Sequence, residues 1–363
     1  MKPPFRADQV GSLLRPPSLA EARRRWKAGA LPAAELKRTE DAAIREAVAR
    51  QESIGLRAVT DGEFRRDWWH LDFLGALEGV TLKENAGPKF GGTEEQPPIA
   101  TVTGRIRCDG PIMAEHFSFL KSVAKATPKF TIPSPSMLHL RGGRNAISRD
   151  AYPDLDAFWD DVAAAYRKAI ARLAGAGCTY LQLDDVSFAY LCDPKVREGC
   201  RRNGDDPDLL PRRYAGTINA ALRGRPAGMT VTMHTCRGNF KSAWVAEGGY
   251  DPVAEAMFSA DVDGFFMEFD SARAGGFGPL QALPAGKRVV LGLVTTKVGE
   301  LESKDALLQR IREAAKFVPL ENLCLSPQCG FSSTHHGNAL SPDDQWRKLE
   351  RVVEVAREVW GDN

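Results

Sequence analysis

Short runs of apolar and β-branched residues alternate along the chain with longer segments whose apolar residues recur every three or four positions. The first pattern suits buried parallel strands, and the second suits helices that cross between them. Strands are predicted at 6–12, 57–61, 129–134, 180–185, 230–234, 264–268, 289–294 and 323–326. A further run near 100–107 fits a hairpin inserted after the second strand. One helix face is marked by Leu155, Phe158, Trp159, Val162, Tyr166, Ile170 and Leu173. An earlier helix carries Leu36, Ile44, Val48 and Ile54 and ends at Gly55. The last opens with Ser341-Pro342-Asp343-Asp344, which offers an N-cap hydroxyl, a proline at the first helical position and carboxylates in the positive first turn. Its apolar face runs through Trp346, Leu349, Val353, Ala356 and Trp360. The stretches 83–98 and 193–213 are rich in Gly, Pro and charge and read as loops.

Eight strands with interleaved helices, no dividing linker and no short repeat predict an α/β fold, a (β/α)8 TIM barrel. The expected organisation is a single domain spanning residues 1–363. An open doubly wound sheet is the rival. It is weakened because neither a Gly-x-Gly-x-x-Gly fingerprint nor a P-loop follows an early strand.

Composition narrows the function classes. Hydrophobic residues make up 43% and charged residues 26%, enough to bury a sizeable core. A formal charge of +2 on 363 residues, with basic and acidic residues intermixed, gives no footprint for nucleic acid. No window approaches the roughly 18 consecutive apolar residues of a membrane helix. The opening Met-Lys-Pro-Pro-Phe-Arg lacks the apolar stretch of a signal peptide, so a cytoplasmic location is expected. Seven scattered cysteines, an odd number, argue for free thiols or metal ligands over disulfides. Cys108, Cys178, Cys192, Cys200 and Cys324 have no chemical partner nearby in sequence and read as small buried hydrophobes.

A barrel builds its active site at the C-terminal ends of its strands, and there the polar residues of this chain collect. The ends read Gly11-Ser12, Thr60-Asp61-Gly62-Glu63, Asp184-Asp185, His234-Thr235-Cys236, Glu268-Phe269-Asp270 and Gln328-Cys329-Gly330. Imidazole and thiolate suit zinc, which takes four ligands in a tetrahedral site. His234 and Cys236 form a weak pair alone, but Cys329 and Glu268 end two other strands at the same mouth. A zinc ion held this way lowers the pKa of a bound thiol, so alkyl transfer to sulfur is favoured over hydrolysis. Across the mouth, the carboxylates Glu63 and Asp184 suit an ammonium group, and Ser12 with its backbone suits a carboxylate. The plainer reading of Glu63 and Asp61 is an ion pair with Arg65 or Arg66.

Arg6-Ala7-Asp8-Gln9-Val10-Gly11-Ser12-Leu13-Leu14-Arg15-Pro16, Val59-Thr60-Asp61-Gly62-Glu63-Phe64-Arg65-Arg66 and the set His234-x-Cys236, Glu268, Cys329 resemble cobalamin-independent methionine synthase. The chain resembles the short single-barrel proteins related to that enzyme's C-terminal catalytic half. This resemblance implies a barrel with catalytic zinc and methyl transfer to homocysteine, giving methionine. It implies His234, Cys236, Glu268 and Cys329 as zinc ligands, with Glu268 the one that yields when the thiol arrives. It also implies Ser12, Glu63 and Asp184 as holders of the amino-acid part of homocysteine. Asp185 stands where the long form usually has Glu and joins Glu268 as a catalytic candidate. His335, in the run Thr334-His335-His336 just past Cys329, is the third candidate, as a proton donor or donor-binding group.

The long enzyme's folate-site tryptophan is missing from Ser134-Pro135-Ser136-Met137-Leu138-His139. The methyl donor is therefore open among methyltetrahydrofolate, a methylated corrinoid protein and a small methylated metabolite. Three rival functions stand beside this one. Alkyl transfer to another thiol, such as coenzyme M with an epoxide, calls for an Arg-lined pocket. A metal-free enzyme resembling uroporphyrinogen decarboxylase calls for an Arg-lined cleft without metal ligands. A zinc-binding or substrate-sensing module without turnover is the third, and nothing in the ligand set looks degraded as loss of turnover would allow.

Overall fold

The computed structural model describes residues 2–84 and 98–361. Among them nine strands form: β1 (Ala58–Val59), β2 (Glu78–Lys83), β3 (Ile99–Arg107), β4 (Thr127–Pro133), β5 (Tyr180–Asp185), β6 (Thr230–Thr235), β7 (Gly264–Glu268), β8 (Arg288–Val294) and β9 (Leu323–Pro327). Seven make one parallel sheet in the order β1-β4-β5-β6-β7-β8-β9. That order never reverses, as it would at the switch point of a doubly wound sheet, so the sheet curls in one sense. The architecture is an α/β fold consistent with a TIM-like barrel. Every residue of β5, β6, β7 and β9 is buried, as expected where helices cover one face and side chains fill the other. The predicted hairpin is present: β2 and β3 pair antiparallel. The expected loop at 83–98 falls, for residues 85–97, outside the described residues.

Two expectations need correction. The predicted first strand at 6–12 is not a ladder strand, because its register with the sheet is a single parallel bridge between Ala7 and Leu325. There the Asp8 amide donates to the Leu325 carbonyl (3.0 Å) and the Leu325 amide to the Arg6 carbonyl (2.8 Å). On the β1 side one backbone bond, from the Leu13 amide to the Gly62 carbonyl (3.1 Å), is joined by side chains. Thr60 Oγ1 donates to the Gly11 carbonyl (2.6 Å), and Gln9 Nε2 donates to Gln51 Oε1 (2.7 Å) and Thr60 Oγ1 (3.1 Å). The physical cause is local. Gly11 has φ +149°, and a Cβ there would meet Thr131 Cγ2 at 2.8 Å.

The second correction concerns 193–213, expected to be a loop. It contains a helix at Pro194–Arg202 and the start of another at Leu210–Leu222. Asp193 caps the first by accepting the Lys195 amide, Pro194 follows, and Arg201 and Arg202 complement its C-terminal end. Its single buried side chain, Cys200, left too little apolar period to mark it as a helix.

The last helix, Pro342–Trp360, has the expected capping box: Ser341 Oγ accepts the Asp344 amide (3.1 Å) and Asp344 accepts the Ser341 amide (3.0 Å). Those bonds, with Arg347 beside it, lower the Asp344 carboxyl from 3.8 to about 2. A depressed carboxylate contributes stability above its unfolded value and loses it as pH falls through its folded one. Asp344→Asn is therefore expected to lower Tm at neutral pH by a margin that holds down to about pH 4 and narrows towards pH 2. Thermal melts of both proteins across that range would test this, and a margin independent of pH would show that the charge plays no part.

Candidate metal centre

Parallel pairing brings the polar strand ends to one height. Asp184 on β5 is in register with His234 on β6, and Glu268 on β7 with Gly292 on β8. One ligand atom from each of His234, Cys236, Glu268 and Cys329 lies within 4.8 Å of all the others, and all four residues are buried. The two sulfurs are 3.4 Å apart, near the edge of about 3.8 Å for a tetrahedron with metal–sulfur bonds of about 2.3 Å. His234 Nδ1 lies 3.3 Å from the Phe266 carbonyl, while Nε2 is buried with no hydrogen-bond partner. Donation from Nδ1 leaves the Nε2 lone pair facing the other donors, the arrangement a ligating imidazole adopts. The residues present therefore fit a borderline-soft ion.

The surroundings of these donors set their protonation. Cys236 donating towards Cys329, with His234 adjacent, pushes the Cys329 thiol well below its ordinary value and Cys236 well above it. Burial opposes a charged His234, but the Cys329 sulfur, Asp184 and Glu268 together raise it to about 8. Burial and the Cys329 sulfur raise Glu268. The Gly238 amide donates to Cys236 Sγ (3.3 Å) and the Arg237 amide to Glu268 Oε1 (3.0 Å), while Arg273 Nη2 stands 3.4 Å from Oε2.

Ser12, Glu63, Asp184, His234, Cys236 and Cys329 line one pocket. Glu268 is not on its wall; it lies behind, fully buried. Glu63 sits at φ +60°, a conformation that costs a non-glycine residue about 1–3 kcal/mol and collects at functional sites. Thr131 donates to its Oε1 (2.8 Å), and Arg66 stands 3.8 Å from the same oxygen. Its Oε2 is buried without a partner. The ion-pair reading of Glu63 thus accounts for one oxygen only, and Arg65 pairs instead with Glu40 and Asp41. Asp184, buried and beside Glu63, is raised to about 7. Ser12 is pressed against Gly330, where a Cβ would come within 2.0 Å of its Oγ.

Like Glu268, the other two catalytic candidates are not on the pocket wall. Asp185 turns away: its carboxylate accepts the Ser136 hydroxyl and the Phe188 amide (3.1 Å), while its carbonyl accepts the Cys236 amide (2.7 Å). His335 packs edge-on to Trp68 (5.9 Å) and against His336 (3.8 Å). Cys108, Cys178, Cys192, Cys200 and Cys324 are buried and free. Sequence reading missed Lys297, which donates to the Gly238 carbonyl (3.2 Å) and Asn239 Oδ1 (3.3 Å) and lowers Cys236, Cys329 and Glu268 electrostatically. The signal available was Thr295-Thr296-Lys297, the polar end of the one late strand to which no chemistry had been assigned. Trp68, Trp69, His70 and Arg141 also line the pocket and were missed. No helix among the described residues is long and apolar enough to cross a membrane.

The family model for the cobalamin-independent synthase catalytic domain matches residues 5–358. The uncharacterized protein YxjG of Bacillus subtilis is 48% identical over 99% of this chain and 96% of its own length. A solved structure from Listeria monocytogenes, a candidate vitamin-B12-independent methionine synthase, superposes with a TM-score of 0.79. It is 39% identical, over 99% of this chain and 98% of that one. A 5-methyltetrahydropteroyltriglutamate–homocysteine methyltransferase of Mycolicibacterium paratuberculosis is 24% identical over 98% of this chain. The match spans only 43% of that longer protein.

The charge of Lys297 is open to a direct test. Lys297→Met should move the alkylation of Cys329 by iodoacetamide, in chelator-treated protein, to higher pH by up to about one unit. Lys297→Arg should restore the original profile. Equal profiles for all three proteins would reduce Lys297 to a loop anchor.

Proposed function

This chain belongs to the family of cobalamin-independent synthase catalytic domains, and we propose that it transfers a methyl group to the thiol of homocysteine, forming methionine. We read residues 1–363 as a single domain, a (β/α)8 barrel whose eighth stave is the segment through Ala7. The observation that carries the reading is one convergence: four metal-type donors within 4.8 Å, beside a buried, unpartnered Glu63 oxygen.

In this reading His234, Cys236, Glu268 and Cys329 hold zinc. Zinc bound there lowers the pKa of an acceptor thiol, so that it is presented as thiolate at neutral pH. Glu63 Oε2 and Asp184 bind the substrate ammonium, and Ser12 with its backbone receives the substrate carboxylate. Asp184 is raised by burial and by the Glu63 charge, and an ammonium between the two carboxylates offsets both. Glu268, fully buried and next to Arg273, would be the ligand that yields to a substrate thiol. Asp185 positions the end of β6 through its bond to the Cys236 amide, and His335 packs the mouth. The methyl donor is a methylated folate, a methylated corrinoid protein or a small methylated metabolite. A reducing, cytoplasmic setting suits seven free thiols.

Arg141 on the pocket wall is what alkyl transfer to coenzyme M would call for. Glu63 and Asp184, however, would repel a sulfonate at the acceptor end. A metal-free decarboxylase leaves the four converging donors unexplained.

Protein purified without chelator should carry about one zinc per chain, with occupancy strongly reduced in Cys236→Ser and Cys329→Ser. Full occupancy in both variants would reject this ligand set. Calorimetry should detect homocysteine binding to the zinc form, weakened about tenfold or more in Asp184→Asn and Glu63→Gln. Equal affinity in all three proteins would remove the two carboxylates from the acceptor site. Methionine formation, followed by mass, should accompany binding once a competent donor is supplied.

A further inference from the structure

Beyond the metal donors, the same pocket continues to a group of residues with no part in holding the acceptor: Trp68, Trp69, His70, Arg141 and Tyr190. His70 is 2% exposed, and neither of its ring nitrogens has a hydrogen-bond partner. Its ring is 4.4 Å from that of Trp69. Buried polar groups are rarely left unpaired, and a water, an ion or a ligand commonly completes the exceptions. Arg141 lines the same wall, and its guanidinium has no ion-pair or hydrogen-bond partner among the described residues. The backbone that carries it is anchored from behind: His139 Nδ1 is 3.0 Å from the Tyr214 hydroxyl, and the Gly143 amide donates to the His139 carbonyl (2.7 Å). Burial and the nearby Arg141 charge keep His70 neutral, with one N–H to give.

We propose that His70 and Arg141 form an anion-recognition subsite for the methyl donor, taking a carboxylate at the end of the donor remote from its methyl group. The indoles of Trp68 and Trp69 supply the apolar wall along which the donor body lies. Free guanidinium donors and an imidazole N–H match carboxylate oxygens in charge and geometry. The proposal rests on the methyl-transfer reading of this pocket. In the transfer, the acceptor sulfur's electron pair forms the new S–CH3 bond. The bond from that methyl to the donor breaks, and its electron pair leaves with the donor. A sulfonium or quaternary ammonium donor departs neutral, whereas a folate nitrogen takes up a proton from water. Both kinds of donor can carry the carboxylate, either on a glutamyl tail or on a small onium acid.

Tryptophan fluorescence of the zinc-loaded protein, titrated with 5-methyltetrahydrofolate, S-methylmethionine and glycine betaine, tests the subsite. At least one probe should bind. Its Kd should rise tenfold or more in Arg141→Gln and recover in part in Arg141→Lys. Homocysteine affinity, measured by calorimetry, should be unchanged in both variants. Loss confined to the folate identifies the glutamyl tail as the source of the carboxylate, and loss confined to the onium acids identifies those. A homocysteine Kd that rises in Arg141→Gln would overturn the proposal by handing Arg141 to the acceptor. So would the absence of binding by every probe while homocysteine still binds. If homocysteine itself fails to bind the wild-type protein, it is the methyl-transfer reading that falls.

Discussion

A curled parallel sheet leaves unpaired amides and carbonyls along its two edge strands, and burying them unpaired is costly. In this protein the edges are β1 and β9, and the segment from Arg6 to Leu13 bonds to the chain at both without being a full strand. One side is a backbone bridge at Ala7, and the other is a side-chain relay through Gln9, Gln51 and Thr60. The segment is pinned from inside by Asp8, which accepts from Tyr180 (2.7 Å) and Lys129 (3.1 Å), all three buried. The mouth depends on this closure. Ser12 leaves the segment to accept the Phe331 amide on its carbonyl (2.9 Å) and the Ser332 amide on its Oγ (3.3 Å). The same contact places the loop that follows Cys329, so the closing segment and the metal donors are built as one unit.

Charge is the second constraint on the mouth. Two thiol groups, a carboxylate and the Glu63–Asp184 pair crowd a buried space, where burial first and neighbouring negative charge second raise Asp184 and Glu268. The structure offsets them unequally. Lys297 and Arg273 flank the metal-type donors, whereas Glu63, with Arg66 at 3.8 Å and Arg15 bonded to its carbonyl (3.0 Å), keeps one carboxylate oxygen without a partner. The metal end is compensated by the protein itself. The Glu63 end keeps one carboxylate oxygen unpartnered, the position the proposed ammonium group would complete.

Much of this was legible in the residue pattern. The strands β5, β6, β7 and β9 are marked by short apolar and β-branched runs, and Asp184, His234, Glu268 and Cys329 lie at or just past their ends. The last helix was legible from its capping box, a local signal that needs no tertiary partner. At 6–12 the reading failed because of a close approach: a Cβ at Gly11 would meet Thr131 at 2.8 Å, so a segment with strand composition does not pair as one. The helix at Pro194–Arg202 buries a single residue, so it lacked the periodic stripe by which helices are recognised.

By itself the sequence determined the alternation of strands and helices and the residue types that end each strand, because both are encoded by local periodicity. It could not determine which of those ends face the pocket. Asp184 and Asp185 are neighbours, yet one lines the pocket and the other turns away to hold Ser136 and the Phe188 amide. Adjacent residues on a strand point to opposite faces, and only the register with β4 and β6 decides which face is inside. The same holds for His70 and Arg141, which are far apart in sequence and share a wall only once the sheet has curled. Function at this mouth is a matter of register and closure, and those belong to the tertiary structure.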